Sequence, residues 1–120
     1  MIKIGLIGIL IALLNFIDTG IERRVTFYWP SECGWNDAVA DYPLKIDFDK
    51  LESGELRWCA VSRELRSTYP YGSIIYVDGE GFFAVHDCTA AWVKNTVDIL
   101  VPSERMERNY RRVWVVWRAP

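Results

Sequence analysis

The sequence has little of what the commonest small-protein chemistries require. It has one histidine, His86, and nothing places a serine beside it, so a serine–histidine–aspartate nucleophile set has no support. It has three cysteines, Cys33, Cys59 and Cys88, without a CxxC pair, which argues against a closed four-ligand zinc site. No metal and no cofactor are expected. No run of Gly, Ser or Pro divides the chain beyond residue 24, and no internal repeat or low-complexity segment breaks it up. Fourteen Lys/Arg against sixteen Asp/Glu give a net charge of −2, so the electrostatic footprint of a general nucleic-acid binder is missing. What is present is enough for one core: 120 residues, 51% of them hydrophobic, which implies a single folding domain. Aromatics make up 14%, with six Trp and six Tyr, a supply that suits either a core or a carbohydrate-stacking groove.

The longest uncharged stretch sets the expected compartment. Ile4 to Ile17 (IGLIGILIALLNFI) follows Lys3 and gives way to Asp18, Glu22, Arg23 and Arg24. At about fourteen residues the run is short for a spanning helix, which needs roughly 20, and its charge pattern is that of a secretory signal. No small-x-small cleavage pair follows it, which keeps an uncleaved anchor open, and a buried first strand or helix is the plain alternative. Residues 1–21 are therefore read as a signal sequence or N-terminal membrane anchor. The product is expected to be secreted, periplasmic or membrane-anchored, with membrane association through that segment. In such a compartment two of the cysteines could pair; all three serve equally well as small buried hydrophobes.

Beyond it the pattern is that of short strands. Arg24 to Trp29 (RVTFYW) is β-branched and aromatic and stops at Pro30. Ser31 to Gly54 reads as a long acidic loop with one short element around Lys45 to Phe48. Arg57 to Val61, Ser73 to Val77, Phe82 to His86, Thr96 to Val101 and Arg112 to Trp117 are further strands, the second and third of these joined in a hairpin by Asp78-Gly79-Glu80-Gly81. One helical turn fits within Ser62 to Pro70, and Ser103, followed by Glu104 and Glu107, reads as the N-cap of a short helix. Arg105, Arg108, Arg111 and Arg112 are most simply a solvated helix face and its flank, with a groove for an anionic polymer as the sharper alternative.

Two aspartates, Asp87 and Asp98, stand eleven residues apart, the first at a strand end and the second inside TVDILV. In the order Tyr71-Gly72-Ser73-Ile74-Ile75-Tyr76-Val77, Gly79 to Asp87, Val97-Asp98-Ile99 and Arg112-Val113-Trp114-Val115, the chain from about Cys59 to Trp117 resembles the three-aspartate (3D) domain. That domain is also the catalytic module of the membrane-bound lytic transglycosylase A family. The resemblance implies a mainly β fold over residues 22–120: a six-stranded double-psi β-barrel with one short helix in the C-terminal half. The pattern departs from the family in three places. Cys88-Thr89-Ala90-Ala91 stands where a Gly-rich turn is usual, Val93-Lys94-Asn95 shifts a lysine, and Ser62 follows Ala60-Val61 where the first aspartate belongs, with Glu64 nearby as its substitute.

The resemblance further implies the chemistry of peptidoglycan lysis. A lytic transglycosylase splits the β-1,4 bond between N-acetylmuramic acid and N-acetylglucosamine without water and closes a 1,6-anhydro ring. One carboxyl group serves as acid and then as base, unlike ordinary glycoside hydrolysis, which uses two carboxyls at a set separation. Asp98 is the implied acid/base and Asp87 its partner, with Ser62, Glu64, Trp29, Trp35 and Trp92 lining the groove for the glycan strand. Trp58, Trp114 and Trp117 lie in strands and read as core. Strand alternation turns His86 to the side opposite Asp87. Two functions are thus carried forward: a lytic transglycosylase, and a non-catalytic expansin-like barrel that binds the wall, for which Asp98 is a structural residue.

Overall fold

The computed structural model describes residues 20–31 and 46–120. The apolar run Ile4 to Ile17, Cys33 and Trp35 lie outside the described residues. Among the described residues there are six strands: β1 (Ile21–Tyr28), β2 (Trp58–Val61), β3 (Ile74–Val77), β4 (Gly81–Cys88), β5 (Thr96–Leu100) and β6 (Asn109–Trp117). They close into a barrel in the order β1-β5-β2-β4-β3-β6. Closure leaves no sheet edge with unpaired backbone groups. Two pairs, β1 with β5 and β2 with β4, are parallel, and the remaining four are antiparallel.

This topology has an internal symmetry that the amino-acid sequence hides. Exchanging β1 for β4, β2 for β5 and β3 for β6 leaves the strand order and the sense of every pairing unchanged. The first three strands and the last three are therefore two interlocked copies of one unit, as a double-psi barrel requires. The fold is mainly β, as expected. The chain between the halves turns at Asp78 to Glu80, where Gly79 takes φ +78° and Gly81 φ +108°, the left-handed region that favours glycine.

The barrel is filled by β-branched side chains. Val25, Val61, Val77, Val85, Val97 and Val113 line the interior with Ile75, Ile99, Phe27 and Phe83, all buried. Burying each such side chain stabilises the fold by roughly 1.5–3 kcal/mol before chain entropy is set against it. A second cluster lies on the outside of β1, β2 and β5, where Tyr28, Ala60 and Leu100 are covered by Ile46 and by Leu51 of helix α1 (Phe48–Ser53). That helix starts because Asp47 accepts a hydrogen bond from the Lys50 N–H, and it stops because Gly54 takes φ +83°.

Several expectations need correction. No helix forms at Ser103; residues 101–108 have no regular structure, and the helical element of the second half is the single 3-10 turn Arg63–Leu65. Ser103 to Arg108 contains one apolar residue, Met106, which is 68% exposed, so a helix there would have no face to bury. Arg105 instead reaches back to the barrel. Strands β1 and β6 both begin three residues before the expected Arg24 and Arg112, because they pair antiparallel from Ile21 opposite Val113 to Val25 opposite Asn109. Trp114 is buried, but Trp117, at the end of β6, is 54% exposed and is not core. Trp58 is half-buried against the outer cluster.

Candidate functional site

Parallel and antiparallel pairing brings four residues into one row across the barrel. Thr26 of β1 stands opposite Asp98 of β5, Asp98 opposite Ala60 of β2, and Ala60 opposite Asp87 of β4. Directly paired residues share a face of the sheet, and Ala60 packs in the outer cluster. Asp98 therefore belongs to the outer wall of the barrel, between the inward-facing Val97 and Ile99. Its Oδ1 accepts a hydrogen bond of 2.7 Å from the Thr26 hydroxyl. A short bond of this kind to a carboxylate fixes its rotamer and orients the second oxygen.

The row is continuous because of a bulge. Cys59 pairs with Val85, but the next residue, Ala60, pairs with Asp87, so His86 is an extra residue on β4. Without the bulge His86 would stand opposite Ala60. Simple alternation from Asp87 therefore does not decide where His86 lies; the imidazole stacks on the Trp58 indole with ring centroids 4.2 Å apart. Burial there lowers its pKa from the usual 6.5. Asp87 itself is buried, and its Oδ1 accepts from the Cys88 N–H at 2.8 Å.

Asp98 opens on a surface cleft of about 200 Å³, whose walls include Arg24, Thr26, Trp29, Arg105 and Arg108. Trp29 follows β1 directly and is half-buried on the wall of the same cleft. Arg105 also lines it. It is held by a bidentate pair to Glu80 at 2.8 and 2.9 Å, by Glu107, and by the Phe27 ring, whose centroid is 3.8 Å from its guanidinium carbon. The Glu80 hydrogen bond raises the Arg105 pKa further above its usual value, so this cation does not switch.

Of the residues singled out from the sequence, this cleft brings together Asp98 and Trp29. Asp87 is one strand beyond Ala60 and does not line it. Ser62 is 0% exposed: its hydroxyl donates to the Thr96 carbonyl at 3.0 Å and accepts from the Thr96 N–H at 2.6 Å. Glu64 accepts from the Asn95 N–H at 3.3 Å. These two residues, proposed for the groove, instead pin the corner at Asn95 and Thr96 from which β5 departs, and so set where Asp98 falls. Trp92 is 83% exposed on the loop before that corner and lies outside the cleft.

Sequence reasoning misses Thr26 and Arg24 as cleft residues, and reaches Arg105 and Arg108 only through the alternative reading of their cluster as a groove. For Thr26 the signal is the register of two strands seventy-two residues apart, which no local pattern carries. For Arg105 and Arg108 the one usable sign is their cluster after Pro102, which the helix expected there would have turned to solvent. The Cys59 thiol is free and buried, and burial, reinforced by the nearby Asp98 charge, pushes it far above its usual pKa. Among the described residues no group of three His, Cys, Asp or Glu side chains is placed to hold a metal ion. No protein-family model matches the chain, and no curated protein matches it.

Proposed function

We propose that the barrel acts on peptidoglycan glycan strands, splitting the β-1,4 bond between N-acetylmuramic acid and N-acetylglucosamine without water. The observation that carries this reading is the setting of Asp98: a carboxylate on the outer wall of a rigid barrel, oriented by Thr26, open to a cleft that also holds an indole. Glu107, the other carboxylate lining the cleft, is engaged with the Arg105 cation. A single acting carboxyl suits non-hydrolytic cleavage, whereas ordinary glycoside hydrolysis needs two.

In its protonated form Asp98 gives its proton to the glycosidic oxygen as the bond from that oxygen to C1 breaks. The carboxylate so formed takes the proton of the C6 hydroxyl as that oxygen bonds to C1, which closes the 1,6-anhydro ring and restores the acid. Trp29 supplies a face on which a sugar ring stacks. The apolar segment within residues 1–21 accounts for how such an enzyme reaches the wall: secreted, periplasmic or held at the membrane. The test is incubation of the full chain with cell-wall sacculi. Anhydro-muropeptides should be released by the wild type and not by Asp98→Asn.

A second reading is favoured by one observation. Besides the carboxylate-paired Arg105, two arginines, Arg24 and Arg108, share the cleft with Asp98, and such cations hold an anionic polymer without any chemistry. On that reading the chain is an expansin-like binding barrel. It would co-sediment with sacculi, release nothing, and detach as salt is raised.

A further inference from the structure

Arg105 also lines a second cavity, of about 310 Å³. Phe83 and Ile99 of the barrel interior contribute to its wall, so it opens at an end of the barrel, and Arg57 and Glu52 stand at its border. Its size is at the lower end for a small-molecule site. The arginines at its border differ in one respect. Arg105 is neutralised by Glu80 and Glu107, whereas among the described residues no carboxylate pairs with Arg57.

Arg57 is nonetheless held in place. Its Nε–H donates to the Phe82 carbonyl at 2.9 Å, its Nη2 donates to the Glu80 carbonyl at 2.6 Å, and its guanidinium carbon lies 4.4 Å from the centroid of the Phe83 ring. Space for it is made by Gly81: a Cβ at that position would sit 3.1 Å from Arg57 Nη2. Two backbone carbonyls and a ring thus immobilise a cation whose remaining N–H groups face no protein acceptor among the described residues. A guanidinium fixed in advance loses little side-chain entropy when it captures an anion, and its planar fork matches a carboxylate.

We infer that this cavity is a subsite for an acidic sugar residue whose carboxylate is free, as in a glycan strand stripped of its stem peptides, with Arg57 binding that carboxylate and Glu52, which also lines the cavity, accepting from the sugar's hydroxyls. The inference rests on the glycan reading for the class of ligand, and the shared wall at Arg105 makes the cavity a neighbour of the Asp98 cleft on one glycan path. It assigns Arg57 a binding role that is separate from the proton transfer at Asp98.

The experiment is calorimetric titration of the full chain with N-acetylmuramic acid, its methyl ester, N-acetylglucosamine and D-lactate. The acid should bind about tenfold tighter than the ester and N-acetylglucosamine, a difference of about 1.4 kcal/mol, and D-lactate should bind more weakly than the acid. Arg57→Gln should remove the preference for the acid, and Asp98→Asn should keep it. The ester arm uses unaltered protein, so the result does not depend on how the Arg57 variant folds. Equal binding of acid and ester, no binding of any of the four, a preference that survives Arg57→Gln, or D-lactate binding as tightly as the sugar acid would each overturn the subsite. An intact preference in a protein that cleaves no sacculi supports the subsite while removing the proposed enzyme; cleavage without the preference does the reverse.

Discussion

Strand β5 shows the two faces of this barrel side by side. Val97 and Ile99 point inward and are buried among other β-branched residues, while Asp98 between them stands on the outer wall, bonded to Thr26 and open to a cleft. The inner face is chemically uniform, and any apolar side chain of the right volume would serve it. The outer face is heterogeneous along its length: Leu100 is roofed by α1, Asp98 is open, and Thr96 is clamped by Ser62. The difference teaches that stability and chemistry are carried on alternate residues of the same strand, so each can be altered with little effect on the other.

The sharpest way to break that comparison is Asp98→Asn. On the proposed mechanism cleavage falls by about 10²–10⁴, the range for losing a general acid/base, while the melting temperature stays close to that of the wild type because the amide oxygen still accepts from Thr26. A large fall in melting temperature in a protein without wall-cleaving activity would make Asp98 structural. Next in size is Ile75→Ala, on the inner face of β3 and away from both cavities. It should cost about 2–5 kcal/mol in urea unfolding and leave the activity of the folded fraction unchanged.

A smaller change sharpens the outer face itself. Thr26→Val removes the 2.7 Å bond to Asp98 and should cost about 0.5–1.5 kcal/mol. Because that bond holds the carboxyl in one rotamer, its loss should also lower cleavage of sacculi; unchanged cleavage would mean that Thr26 does not orient Asp98. The smallest effect belongs to His86. Burial holds its pKa below 6.5 in the folded chain, so as pH falls the unfolded chain takes up the proton first. Its contribution is complete above pH 6.5 and is lost as pH drops through the lower folded value. Between pH 8 and pH 5 the wild type should lose more melting temperature than His86→Gln.

What was legible in the sequence follows from the range of the forces involved. Strand identity is local: β-branched runs such as SIIYV and TVDILV, and the Asp78 to Gly81 turn between glycines of positive φ, specify their own conformation. The halves of the chain nonetheless share a pairing scheme without sharing residues, since hydrogen bonds between backbones are indifferent to side chains. The helix expected at Ser103 failed because a cap lowers the cost of starting a helix but cannot supply the buried face that sustains one.

By itself, the sequence determined that the chain is mainly β, where most of its strands lie, and that Asp98 is a carboxylate within an apolar strand. Only the tertiary structure decided that Asp98 faces outward, that Thr26 bonds to it, that Ser62 and Glu64 hold a corner rather than a groove, and that the arginines after β5 line its cleft. Each of these depends on register between strands far apart in the chain. Register is fixed by filling the barrel interior, so the placement of the outer residues is a consequence of packing that no local pattern contains.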